Sequence, residues 1–179
     1  MQRNVGFLAG ACALLFALAF SASPGDAQPA ADQTLSRPAD LALWPSLGTT
    51  VRTDPTNPTL PRQMRHVQMA PSAYENLVRT LQLADGATFA VTFYGVEHDT
   101  THTPSLYFAQ REQALALEVI DRAHPDGRRF YVLPAGQPSA APLPPGNECA
   151  VCHAERGSFD GTFAHMYPTL RPLNLSNAR

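Results

Sequence analysis

The chain is expected to fold as an α+β domain, mainly antiparallel β-sheet with flanking helices. Three observations predict this. From Thr88 to Val96 the residue types alternate, with Phe89, Val91 and Phe93 on one face and Thr88, Ala90, Thr92 and Tyr94 on the other; a period of two belongs to a strand. Three more stretches, 105–110, 114–121 and 129–133, read as strands, and the turns between them suit antiparallel neighbours. Tyr74, Leu77, Val78 and Leu81 fall at i, i+3, i+4 and i+7, so one stripe of a helix faces a core.

The N-terminus has a different character. Met1-Gln2-Arg3-Asn4 is followed by an apolar run from Val5 to Phe20 and then by small residues through Ala27. A basic start, a short apolar core and small residues before a cut describe a secretory signal peptide, here over 1–27, with cleavage expected near Ala27. The run is too short for a comfortable membrane span, and no other candidate span occurs. Of the 179 residues, roughly 150 remain, enough for one domain with a core. The formal net charge is −2 and no charge run occurs, which argues against nucleic acid or an anionic membrane as partner. All thirteen basic residues are arginine and none is lysine.

Residues 28–62 are expected to be a Pro/Ala-rich lead-in, with a turn or two of helix over Pro38–Trp44 and an extended loop over Asp54–Pro61. The folded domain is expected over 63–173 and a tail over 174–179. Met64–Met69 reads as a short strand. Pro71 then starts the helix, with Ser72 and Glu75 in the positions of a capping box. Asp85-Gly86 and His124-Pro125-Asp126-Gly127 are turns. A Pro/Ala-rich loop runs from Pro134 to Gly146. A last helix is expected from about Asp160 to Leu170, with Phe163, Met166, Tyr167 and Leu170 on one stripe.

Between that loop and that helix lies Cys149-Ala150-Val151-Cys152-His153. C-x-x-C-H is the attachment signature of a c-type haem. Two thiols add across the two vinyl groups of one porphyrin, and the next residue supplies an axial imidazole. The competing readings are a disulfide and half of a zinc site. Zinc needs three or four protein ligands, and after removal of Cys12 with the signal no second cysteine pair exists. Cys149 and Cys152 are thus expected as covalent tethers of haem c, and His153 as the metal ligand. Export agrees, since thioethers of this kind form on the outer face of the bacterial inner membrane, and the protein is expected in the periplasm.

The other side of the iron is less constrained. Only 26 residues follow His153, and segments so close to the motif are expected to pack beside His153 rather than reach the opposite face. That applies to Met166 and His165. Upstream candidates are Met64, Met69, His66, His98, His102 and His124, and each has an ordinary structural reading. The Phe89/Val91/Phe93 face is either plain sheet core or an apolar wall over an open iron that admits small uncharged diatomics.

Four stretches together resemble the cytochrome P-460 family, including its cytochrome c′-beta members: His66–Tyr74, Asp85–Phe89, Cys149–Ala154 and Phe163–Arg171, the last with its Tyr-Pro-x-Leu. The resemblance spans about Arg65 to Leu170. It implies a mostly antiparallel β fold with flanking helices, a homodimer, and a five-coordinate haem with His153 proximal. Family members that oxidise hydroxylamine carry a lysine bonded to the haem edge, whose place here falls within one residue of Val91. A chain without lysine cannot form that bond, so the resemblance points to the c′-beta type, a nitric oxide binder with aromatic residues over the iron.

The expected function is therefore an exported mono-haem protein that binds nitric oxide or a similar small gas, with Phe89, Val91 and Phe93 as packing on the distal side. The alternatives are a haem oxidoreductase of nitrogen-oxide or peroxide chemistry, drawing on Glu97, Asp99, Glu118 or Arg111 as acid, base or charge, and an electron-transfer cytochrome. Expected partners are the gas and a periplasmic electron donor.

Overall fold

A computed structural model describes residues 34–102 and 106–175. The signal peptide expected over 1–27 lies outside the described residues. The described elements, in chain order, are β1 (Leu35–Ser36), β2 (Ser46–Thr53), β3 (Pro61–Met69), α1 (Pro71–Thr80), β4 (Thr88–His98), β5 (Tyr107–Ile120), β6 (Arg128–Pro134), β7 (Ser139–Ala140) and α2 (Glu148–Arg156). β2 to β6 form one five-stranded sheet in sequence order, antiparallel throughout, and β1 pairs with β7. The fold is α+β, dominated by an antiparallel meander. Among the described residues no helix is long and apolar enough to cross a membrane.

The alternation read from the sequence sets the two faces. Phe89 joins a core cluster with Val67, Met69, Ile120 and, from α1, Ala73 and Leu77. Ala90 faces the other way into a second cluster with Leu115, Leu117, Tyr131, Leu133 and Trp44. Leu47, Met69, Leu77, Leu115, Leu117 and Leu133 are completely buried, and full burial of such a side chain is worth about 1.5–3 kcal/mol. Gln68 ties the Trp44 segment to the sheet through its amide, which donates to the carbonyls of Leu41 (2.9 Å) and Trp44 (3.1 Å).

Several expectations need correction. The lead-in expected over 28–62 contains a full strand: β2 pairs with β3 from Ser46 to Thr53. Its intermittent apolar residues hid it, because as an edge strand it buries only Leu47 deeply. The helix expected before it is a single 3₁₀ turn, Leu41–Leu43. The segment after it closes a hairpin, with Asp54 accepting from the Thr56 backbone at 2.7 Å and Pro61 opening β3, a strand position that needs no N–H donor.

The two strands expected at 105–110 and 114–121 are one, β5, whose register against β4 breaks twice near Tyr94; the start of that range, at 105, lies outside the described residues. The capping box does not form. Ala70 is the N-cap without a side-chain bond, and Pro71 occupies the first turn, where its missing N–H costs nothing. The buried stripe of α1 is Ala73 and Leu77, while Val78 and Leu81 are largely exposed.

No α-helix forms over 160–170. Asp160 and Gly161 take positive φ (46° and 67°), Phe159 bridges Thr162, and only Ala164–Met166 make one 3₁₀ turn before Pro168. A tail is expected from 174, yet Leu175 is buried in the core.

Candidate functional site

α2 opens where the sequence requires it. The Asn147 side chain accepts from the backbone N–H groups of Cys149 (3.0 Å) and Ala150 (3.2 Å), an N-cap that satisfies two of the four otherwise orphaned donors. Cys149, Cys152 and His153 then lie on the first two turns. Ala150 is buried beneath the helix, while Val151 is 45 % exposed. The i, i+3, i+4 spacing puts both thiols and the imidazole on one side.

That side lines a cavity of about 440 Å³, within the ~300–1,000 Å³ typical of small-molecule and cofactor sites. Phe89, Val91 and Phe93 of β4 form its floor, with Val67 and Arg65 of β3, Ala116 and Glu118 of β5, and Phe130 of β6. Phe163, Met166 and Tyr167, from the segment after α2, close it. All six residues expected to hold the cofactor thus line one space. The thiols of Cys149 and Cys152 are unbridged. Burial, followed by the neighbouring Glu148 carboxylate, pushes the Cys149 thiol above its ordinary pKa.

The imidazole of His153 is held between two aromatic edges, Phe130 (centroids 5.0 Å apart) and Phe163 (4.9 Å). Its Nδ1 is buried and makes no hydrogen bond, although Glu118 Oε1 lies 3.3 Å away, within ion-pair reach. The distance is right and the N–H direction is not. Glu118 is itself 7 % exposed and accepts from Arg128, which is equally buried.

Pairing across the strands orders the floor. Phe89 sits opposite Glu118, Val91 opposite Ala116, and Phe93 opposite Ala114 and Arg65. Phe89 therefore belongs to the His153 end, and Phe93 lies about 14 Å further along at the usual rise per residue. The Arg65 guanidinium stands 5.2 Å over the Phe93 ring, a cation–π contact, and donates to Gln63 at 2.9 Å. Burial, then the charge of Arg52, lowers the Arg65 pKa, and burial likewise raises that of Tyr167. The floor is thus apolar, with the Arg65 cation at its far end and the Tyr167 phenol also lining the cavity.

None of the six upstream candidates for a second axial ligand lines this cavity. Met69 is packed in the core. His66 lies 3.3 Å from the Thr49 hydroxyl, and His124 accepts from the Asp126 backbone in its turn at 3.2 Å. His98 stacks on Tyr107, and His102 faces Asp99 at 3.8 Å. Met64 pairs with Tyr94 in the sheet. Downstream, His165 bonds the Ser158 hydroxyl, and Met166 lines the cavity while remaining 44 % exposed.

Of the charged groups considered for acid–base work, Glu97 and Arg111 are exposed, and Asp99 caps its own turn at 2.9 Å. Glu118, the fourth of these groups, is buried beside His153. Sequence reasoning missed Arg65, Phe130, Phe163 and Tyr167 as lining residues and Arg128 as the partner of Glu118. Period two on β3 and β6 could have placed Arg65 and Phe130 on the Val67 face, but nothing local marks that face as a cavity wall.

Among the described residues no cluster of three or more His, Cys, Asp or Glu side chains has the geometry of a bare metal-ion site. A porphyrin brings four nitrogen donors of its own and asks for one imidazole, two thiols and apolar walls, and this cavity supplies those groups. The chain matches no known family model, and no characterised protein matches it significantly.

Proposed function

We propose that the protein is an exported c-type mono-haem protein of cytochrome P-460-like fold, closer to the cytochrome c′-beta type, that binds nitric oxide or a similar small gas at a five-coordinate iron. Cys149 and Cys152 tether the macrocycle, His153 ligates the iron, and the group supplies an electrophilic metal with one open position for a diatomic. The observation that carries this reading is the convergence of Cys149, Cys152 and His153 with Val91 and Phe93 on one cavity that none of the upstream histidines or methionines enters. Val91 and Phe93 are the distal packing. Phe89, on the same face of β4 and lining the same cavity, belongs to that packing.

The chain's own residues perform the rest. Phe130 and Phe163 fix the plane of the imidazole. Val91 and Phe93 present carbon to the ligand side, which favours an uncharged diatomic, with the Arg65 guanidinium over Phe93 as the polar group beside them. Hydroxylamine oxidation through a lysine cross-link is closed to a chain that has no lysine. A homodimer, periplasmic export and an electron donor in the periplasm belong to the same reading.

A second reading, an oxidoreductase of nitrogen-oxide or peroxide chemistry, draws on one observation. Arg65 and Tyr167 line the cavity and would give it the polar groups that turnover requires. An electron-transfer cytochrome would need Met166 to bond the iron.

The test is mass spectrometry of protein matured in a haem-attaching host. The wild type is expected to gain the mass of one macrocycle, and the Cys149→Ala/Cys152→Ala variant to lose covalent attachment. A wild-type protein without added mass sinks the reading. Ferric protein that turns over hydroxylamine or peroxide would move the function to the oxidoreductase.

A further inference from the structure

A second feature of the cavity wall is the buried carboxylate beside His153. Glu118 projects from β5 into the cavity wall and is almost completely buried. A carboxylate in such a place needs a partner, and it has one in Arg128, whose guanidinium also donates to the carbonyls of Gly161 (3.1 Å) and Asp160. The strand–turn segment after α2 is shaped to allow this. Asp160 and Gly161 both take positive φ, and a Cβ on Gly161 would come within 2.5 Å of Arg128 Nη2. Arg128 is thus held by two adjacent carbonyls, and it holds Glu118.

The position of that carboxylate is specific. Its Oε1 lies 3.3 Å from His153 Nδ1, which is buried and has no hydrogen bond of its own. A histidine that gives Nε2 to a metal must carry its proton on Nδ1, and ligating histidines nearly always donate that proton to a carboxylate or a carbonyl. Phe130 and Phe163 pack against the ring, and a small torsional change in the His153 or Glu118 side chain aims the N–H at Oε1.

We infer that Glu118 is a positioning residue that accepts the Nδ1 proton of His153 in a charge-assisted hydrogen bond, and that Arg128 sets how much of the carboxylate's charge the imidazole feels. The inference rests on the haem reading above and deepens it. A hydrogen-bonded carboxylate makes the imidazole a stronger donor and stabilises the ferric state over the ferrous. Arg128 takes part of that charge away, so the pair tunes the iron rather than pushing it to an extreme.

The experiment is resonance Raman spectroscopy of the ferrous haem protein, paired with its midpoint potential. In the wild type the iron–histidine stretch is expected above that of haem proteins whose histidine donates to a backbone carbonyl. Glu118→Gln keeps an acceptor oxygen and removes the charge. It is expected to lower the stretch and move the potential positive. Because that variant leaves Arg128 buried without its anion, Glu118→Gln/Arg128→Gln is made alongside, and the same two shifts are expected from it.

A stretch and potential unchanged in a folded, haem-loaded variant overturn the inference while leaving the haem reading intact. If neither variant accumulates, the wild-type frequency decides, and a carbonyl-type value overturns it. A wild type with no iron–histidine band at all overturns the haem reading itself.

Discussion

The two faces of the central sheet are built from alternate residues of the same strands, and they do opposite things. On one face Ala90, Leu115, Leu117, Tyr131 and Leu133 meet Trp44 in a cluster without a charged member. The chain's own segment, Leu41–Trp44, closes that face, and Gln68 pins it there. On the other face the same strands present Val91, Phe93, Glu118 and Phe130 to a cavity, with the Glu118–Arg128 pair buried in its wall. The cavity face is closed at one end by α1, which packs on Met69 and Phe89, and it also holds the Glu118–Arg128 pair, which has no counterpart among the buried residues of the Trp44 face. Buried charge costs free energy wherever it is placed, and in this sheet the fully buried ion pair stands beside the imidazole.

Breaking that pair should hurt most. Arg128→Ala leaves a carboxylate buried without a cation, which costs about 3–5 kcal/mol, measured by denaturant unfolding; a loss under about 1 kcal/mol would mean that the pair is effectively solvated. Leu115→Ala on the closed face is expected to cost about 2–5 kcal/mol through the cavity it opens, and to leave the coordination of any bound haem unchanged. Phe93→Ala on the open face should reverse that pattern. The side chain is only half-buried, so the stability loss should stay below that of Leu115→Ala, while ligands bulkier than a diatomic gain access to the iron in optical titrations. Equal effects of these two variants on ligand size selection would erase the distinction between the faces.

Smaller still is the cap. Asn147→Ala removes the two bonds at the start of α2 and should cost about 1 kcal/mol, with the fraction of covalently attached haem as a second readout.

What was legible in the sequence follows from the range of the forces involved. The strand at 88–98 announced itself because alternation is a local signal, and the C-x-x-C-H motif because its chemistry fixes its spacing. The segment at 160–170 carried a helical stripe and still did not form a helix. Asp160 and Gly161 turn left-handed, and the Gly161 carbonyl is committed to Arg128, which is more than thirty residues away. Ser72 and Glu75 had the capping-box spacing, but Pro71 had already begun the helix.

The site shows the same division. Cys149, Cys152, His153, Phe89, Val91 and Phe93 could be named from local pattern. Glu118 could be named only as one of four candidate acid or base groups, since its place beside His153 depends on a contact between residues 35 positions apart.

The central claim is a histidine-ligated iron with its far side vacant, and the optical spectrum of the ferric, haem-loaded protein tests it most directly. The account predicts a high-spin, five-coordinate spectrum that converts on addition of nitric oxide. A low-spin, six-coordinate spectrum with a methionine-to-iron band, abolished by Met166→Ala, would contradict it.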